Sequence, residues 1–132
     1  MGLTVADLEE SIAFYRDVVG MRELFRSEAG GEWFDRLTAN RGARLRVAHL
    51  ALGSLQLQLV EYLAAGGERL RLAHRHVGNP HLCFAVDDVG DRHARLAAEA
   101  RHPISPLVEI AETGLRSFYV SDPSGVLVEF LG

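Results

Sequence analysis

One carboxylate lies where a strand would bury it. "GVLVEFLG" (125–132) is built from Val, Leu and Phe around a single acidic residue, Glu129. Those neighbours are good strand formers and such a run usually ends up buried. An ionised carboxylate there is costly unless a cation, a metal or hydrogen-bond donors meet it. Gln58 holds the corresponding middle place in "LQLQLVEYL". The preceding Gly53-Ser54 predicts a two-residue turn, which pairs Leu52 with Leu55 and sets His49 opposite Gln58. Gln56, Gln58 and Val60 then share one face, and Leu55, Leu57 and Leu59 the other. The leucine face needs helices to pack on, so Gln58 and His49 project into whatever cavity the sheet encloses. His81 opens another strand-like run, "HLCFAV".

The elements that position these residues follow one plan used twice. "VADLEESIAFYRDVVG" predicts a helix with Asp7 as N-cap, Glu10 completing a capping box, Leu8, Ile12, Tyr15 and Val19 at helical spacing, and Gly20 as the stop. "VDDVGDRHARLAAEA" predicts a second, capped by Asp87 or Asp88, with Val89, Leu96 and Ala100 on one face. A short β-type run, "GLTV" or "LCFAV", precedes each helix, and laying Val5 on Val86 sets the repeat offset at 81 residues. Three strand-like runs follow each helix: "MRELFRS", "RLRVAHLAL" and "LQLQLVEYL", then "PLVEI", "LRSFYVS" and "GVLVEFLG". The fold class expected is α+β, two tandem βαβββ modules whose mixed sheets curl around a central cavity. Residues 1–132 form a single domain in this reading, with module one at about 1–63, a linker at about 64–78 and module two at about 79–132.

Residues 27 to 44 fit neither period and predict a long loop, which inside a compact domain is often functional. Trp33 and Phe34 in it either cover a pocket or cap a core edge. Arg116 and Tyr119 fall on opposite strand faces, so at most one of them lines the cavity. His74, Arg75 and His76 in the linker predict a solvated basic run, with a pocket-rim role for an anionic substrate as the minor alternative.

Bulk properties narrow the function classes. A net charge of −4 leaves no basic footprint for nucleic acid. At 48% hydrophobic and 24% charged residues the balance is that of an ordinary soluble protein. No run is long and apolar enough for a membrane span, no signal-peptide pattern opens the chain, and Ala6 breaks the myristoylation pattern begun by Gly2. Cys83 is the only cysteine, so no internal disulfide forms and the cytoplasm is the expected compartment.

Three segments carry a family resemblance. "GLTVADLEESIAFYRDVVGMREL" resembles the opening helix motif of the vicinal oxygen chelate superfamily, which includes glyoxalase I, methylmalonyl-CoA epimerase, extradiol dioxygenases and bleomycin-resistance proteins. "PHLCFAVDDV" is similar to the start of its second module, and "FYVSDPSGVLVEF" to its terminal signature. The resemblance spans nearly the whole chain. It implies one divalent metal ion (Ni, Co, Zn, Mn, Mg or Fe) held by residues from both modules, here Gln58, His81 and Glu129. Glu61 has the wrong parity for that set. The fourth ligand, normally His, falls one residue before Met1. Either an upstream coding start supplies it or Met1 is the native start and the set is degenerate; the shortness of "MGLTV" as a strand favours the former.

The activity implied is that of a metal-dependent lyase or isomerase-like enzyme acting on a small oxygenated substrate, by metal chelation and enolate stabilisation. Glu129 doubles as the catalytic base, and Gln58 leans toward the epimerase pattern. His49 substitutes as a ligand, acts as a general base or hydrogen-bonds substrate. Trp33, Phe34 and Tyr119 are the candidate substrate-binding residues. Two alternatives stay open: a metal-free drug-binding protein of the bleomycin-resistance kind, and an extradiol-type dioxygenase if His49 serves as a ligand. The partners expected are a small-molecule substrate and a second copy of the chain, with no nucleic acid and no membrane. Exposed strand edges, "MGLTV" and the Leu55, Leu57 and Leu59 face are the surfaces proposed for that homodimer, built with the site either within one chain or shared between two.

Overall fold

A computed structural model describes all residues, 1–132. The chain divides into two compact units, Met1–Leu70 and Arg71–Gly132. No helix is long and apolar enough to cross a membrane.

In the first unit β1 (Gly2–Thr4) leads into α1 (Leu8–Phe14). Asp7 caps it as the sequence predicts, its Oδ1 accepting the Glu10 backbone N–H at 2.9 Å. The helix does not run to Gly20 in α form. Its last five residues, Tyr15–Val19, wind as a π-helical turn, and Gly20 closes it at φ +91°, where glycine carries no steric penalty. The wider turn keeps Tyr15, Val18 and Val19 buried, a demand of the core that helical spacing alone does not reveal.

Next come β2 (Arg22–Gly30), α2 (Glu32–Thr38), β3 (Arg44–Leu52) and β4 (Leu55–Ala64). The sheet order is β1-β4-β3-β2, with β1 parallel to β4 and the other pairs antiparallel. The hairpin register is the one the turn predicts: Leu52 opposite Leu55 and His49 opposite Gln58. α1 packs on β3 and β4, and Ala48, Leu50, Leu57 and Leu59 are completely buried. Each such leucine contributes roughly 1.5–3 kcal/mol by leaving water. Leu57 and Leu59 are thus spent on their own unit's core, as are Leu3 and Val5 of the first strand. They do not form the apolar surface assigned above to a second copy.

A second correction concerns residues 27 to 44. They are the end of β2, the short helix α2 and the start of β3 rather than a loop. No residue of α2 is buried, so it has no apolar stripe for periodicity to detect. Trp33 is 62% exposed and meets Phe34 edge to face at 5.4 Å. It caps no core.

In the second unit β5 (His81–Ala85) leads into α3 (Val89–Glu99), followed by β6 (Val108–Glu109), β7 (Arg116–Ser121) and β8 (Leu127–Leu131). The order β5-β8-β7-β6 repeats the first unit's plan, again with the first strand parallel to the last. Phe84, Phe118, Val120, Val128 and Phe130 bury one face. Phe118 and Phe130 lie 5.3 Å apart, and α3 lays Arg92 over the Phe130 ring and the edge of His93 on Phe118. Asp88 precedes α3 but its side chain caps nothing, pairing with Arg92 at 3.3 Å instead. Ala100 ends α3 in the left-handed region, off the buried face expected of it.

The turn between β7 and β8 is organised by Asp122, a buried carboxylate that accepts the Ser124 and Val126 backbone N–H groups at 2.9 and 2.7 Å. Those bonds satisfy it locally and pin the entry into the strand that carries Glu129.

Candidate functional site

The face of the second unit opposite its phenylalanines gathers the polar residues. Parallel pairing sets Cys83 beside Glu129, and antiparallel pairing sets Tyr119 on the other side of it. Ser117, two residues before Tyr119 and so on the same face, donates its hydroxyl to Glu129 Oε1 at 2.7 Å. His81, two residues before Cys83, brings Nε2 to 3.8 Å from Glu129 Oε2. The Glu129 side chain is 17% exposed. Hydrogen-bond donors are what a half-buried carboxylate requires, and the strand alternation supplies them.

The environment of Glu129 acts back on its neighbours. Burial, then the Glu129 charge and a hydrogen bond to it, hold the Tyr119 phenol above its ordinary pKa. The same three causes, in the same order, raise the Cys83 thiol. Both groups therefore stay protonated as donors near neutral pH.

A further ring joins them. His74, in the segment before β5, lies 5.7 Å from the His81 ring and 5.7 Å from the Tyr119 ring, while His81 and Tyr119 are 6.2 Å apart. The sequence predicts only a solvated basic run here. His74 is exposed, yet its ring rests against two others at this face.

In the first unit the corresponding row is Gly2, Gln58, His49 and Phe25. A side chain at Gly2 would meet Gln58 Oε1 at 3.6 Å. Phe25 stacks on His49 at 4.1 Å with the rings 16° apart, and is itself 54% exposed. A register shift between Glu23 and Phe25 delivers that ring to this row, which plain alternation along β2 does not foretell. Glu61 faces the other way and pairs with Arg46 at 2.6 Å. Arg116, on the opposite face from Tyr119, lies against Gly90 of α3.

So His81, Glu129 and Tyr119 meet on one face of the second unit. Gln58 and His49 meet on one face of the first, and Trp33 and Phe34 sit on α2. Sequence reasoning missed Ser117, His74, Cys83 and Phe25 as neighbours of these residues. Parity with Tyr119 and with His81 was signal enough for Ser117 and Cys83.

The donor chemistry of the His81–Glu129 pair suits a divalent ion. Two ligand atoms on one ion, each about 2.1 Å from it, stand roughly 3–3.5 Å apart, a few tenths of an ångström closer than the 3.8 Å between this nitrogen and oxygen. The pair fits two positions of such a site. As they stand, no three His, Cys, Asp or Glu side chains converge on a common point.

Comparison with known proteins agrees with the architecture. The chain is similar to a glyoxalase family protein from Bacillus cereus, with a TM-score of 0.85 and 20% identity over 99% of this chain and 89% of that one. It is similar to the trypanothione-dependent glyoxalase I of Leishmania major (TM-score 0.72, 22% identity, 100% and 83% covered). It is similar also to a fosfomycin resistance protein from Mesorhizobium loti (0.66, 21%, 98% and 86%). At these identities the likeness is one of fold. No curated protein sequence matches. The Glyoxalase/Bleomycin resistance protein/Dioxygenase superfamily is matched over residues 1–130, and the chain belongs to it.

Proposed function

We propose that this protein is a metal-dependent enzyme of the lyase or isomerase kind, moving a proton next to a carbonyl of a small oxygenated substrate. Members of the superfamily commonly use a divalent metal and bind small molecules. The observation that carries the reading is Glu129 itself: half-buried, with Oε1 held by Ser117 and Oε2 turned toward His81. His81 and Glu129 are the ligands assigned in the second unit, and Gln58, at the equivalent place in β4, is given the same role in the first.

When bound, the ion would act as a Lewis acid toward substrate oxygens and acidify the neighbouring C–H. Glu129 takes that proton, and returning it to carbon completes an isomerisation. Ser117 fixes the carboxylate's orientation, which lowers the cost of aligning the base with the bond it attacks. Tyr119, kept protonated by burial and by the charge beside it, donates to a substrate oxygen.

The test is metal analysis after reconstitution. About one equivalent per chain should be retained and lost in Glu129→Ala; under about a tenth of an equivalent, unchanged by the substitution, overturns the reading.

A second reading, metal-free sequestration of an aromatic ligand, is favoured by one observation: the half-exposed Phe25 ring already stacked on His49. It requires binding of an aromatic ligand that survives a chelator and is weakened by Phe25→Ala. Binding that disappears with the metal excludes it.

A further inference from the structure

We infer that Ser105 is a positioning residue for Tyr119, fixing the stretch of backbone from which the phenol reaches Glu129; this rests on the role given to Tyr119 above.

The argument starts at a sheet edge that is only partly paired. β6 is two residues long and sets Val108 and Glu109 against Ser117 and Arg116. Farther along β7 the chain ahead of β6 covers the edge. Ile104 makes an isolated bridge to Val120, and the Ser121 N–H donates to Pro103 O at 2.9 Å. Between these stretches Ser105 meets Tyr119 in an altered pair. The Ser105 N–H donates to Tyr119 O at 2.9 Å, as in any antiparallel ladder. The return bond differs: the Tyr119 N–H donates to Ser105 Oγ, at 2.9 Å, and not to the Ser105 carbonyl.

That carbonyl is engaged elsewhere. His93 Nε2, on α3, lies 3.0 Å from it, and the edge of the same ring rests on Phe118. A carbonyl oxygen only accepts, so Nε2 carries the proton. The Ser105 hydroxyl gives its own proton to Pro106 O at 3.1 Å, which leaves its lone pairs for Tyr119. One serine thus ties β7 to α3, and its side chain stands in for a backbone acceptor.

The other side of Tyr119 shows what this achieves. Arg116 and Gly132 exchange both backbone bonds across β7 and β8. Alternation from that pair makes Tyr119 and Glu129 a non-hydrogen-bonded pair, the kind in which opposed side chains stand closest. No ladder bond to β8 holds the Tyr119 backbone, so Ser105 holds it alone. The contact between phenol and carboxylate that raises the Tyr119 pKa depends on that hold.

The substitutions separate hydroxyl from backbone. Ser105→Ala keeps the main-chain bonds and removes the acceptor of the Tyr119 N–H, while Ser105→Thr keeps the hydroxyl. NMR of the full chain, labelled with 15N and with 13C at tyrosine Cζ, reads the result. The chain has three tyrosines, and Tyr119→Phe identifies the signal concerned. In the parent, Glu129→Gln should shift that signal. In Ser105→Ala the Tyr119 N–H should exchange about tenfold faster and the response to Glu129→Gln should fall below about half; Ser105→Thr should preserve both. Ser105→Cys, a weaker acceptor of similar size, should fall between alanine and serine, and decides the matter should the alanine variant not fold. A serine that only stabilised the sheet would lower the unfolding midpoint and leave the Glu129 response untouched. A response that survives Ser105→Ala overturns the inference, as does a parental Tyr119 signal indifferent to Glu129→Gln. Neither metal nor substrate enters this measurement, so the metal analysis above can fail while its outcome stands.

Discussion

Each unit sets its first strand beside its last, and the residues placed there differ in kind. In the first unit a bare glycine, Gly2, neighbours a neutral amide, Gln58, with an imidazole, His49, on the next strand. In the second a thiol, Cys83, neighbours a carboxylate, Glu129, with a phenol, Tyr119, in the equivalent place. The backbone frame is the same and the chemistry is not. Gln58 is exposed and needs no particular partner, whereas Glu129 is largely sheltered and has Ser117, Tyr119 and Cys83 arranged as donors around it. A charge that leaves water must be met, and a neutral amide at the surface need not be. The comparison teaches where a polar residue has been given a built environment: in the second unit, around Glu129.

The sharpest way to break that comparison is to disable the two polar centres one at a time. Glu129→Ala should cost activity about 10²–10⁴-fold, the range for removing a positioned base. Gln58→Ala should cost about tenfold or somewhat more, the scale of a weaker ligand or an outer partner. Steady-state kinetics with the same substrate compare them. Equal losses would show that the first unit's amide matters as much as the second's carboxylate.

Behind the two rows the apolar faces should respond alike. Phe130→Ala is expected to destabilise by about 3–5 kcal/mol and Leu59→Ala by about 2–5 kcal/mol, since both side chains are completely buried. Urea unfolding followed by circular dichroism measures both. A Leu59 variant that unfolds like its parent would mean that this face is not packed by its own helix.

The smallest contrast lies at the helix starts. Asp7→Ala removes a bond to the Glu10 N–H and should cost about 1 kcal/mol. Asp88→Ala removes only an exposed ion pair with Arg92 and should cost under about 0.5 kcal/mol. Thermal unfolding of the two variants orders them, and the reverse order would contradict the capping geometry.

Much of this was legible in the sequence, because much of it depends on period and turn chemistry. Gly53-Ser54 fixed the β3–β4 register, and with it the meeting of His49 and Gln58. The repeat offset anticipated that both units would run strand, helix and three strands. Fold class followed from that repeat, and the superfamily from the segments that resemble its motifs. Other features left no local trace. α2 buries nothing, so its residues show no helical pattern, and the π-helical turn answers to core geometry around Tyr15. The leucine face packs on a helix as its pattern requires, which leaves Leu57 and Leu59 nothing to offer the second copy also assigned to them. His74 is placed by the path of a connecting segment, and nothing in its neighbours' identities announces the ring contacts. Phe25 reaches His49 through an irregularity in strand pairing that alternation cannot register.

The lone cysteine has a practical consequence. Cys83 is exposed and sits directly across from Glu129. A fluorophore or nitroxide attached to its sulfur would stand beside the candidate site in the unaltered protein, with no competing thiol anywhere in the chain to blur the signal. Because burial and then the Glu129 charge hold that thiol's pKa above its ordinary value, attachment should quicken as pH rises. The molecule comes with its own labelling position, and every photon or resonance collected from such a probe would report from a single, known address.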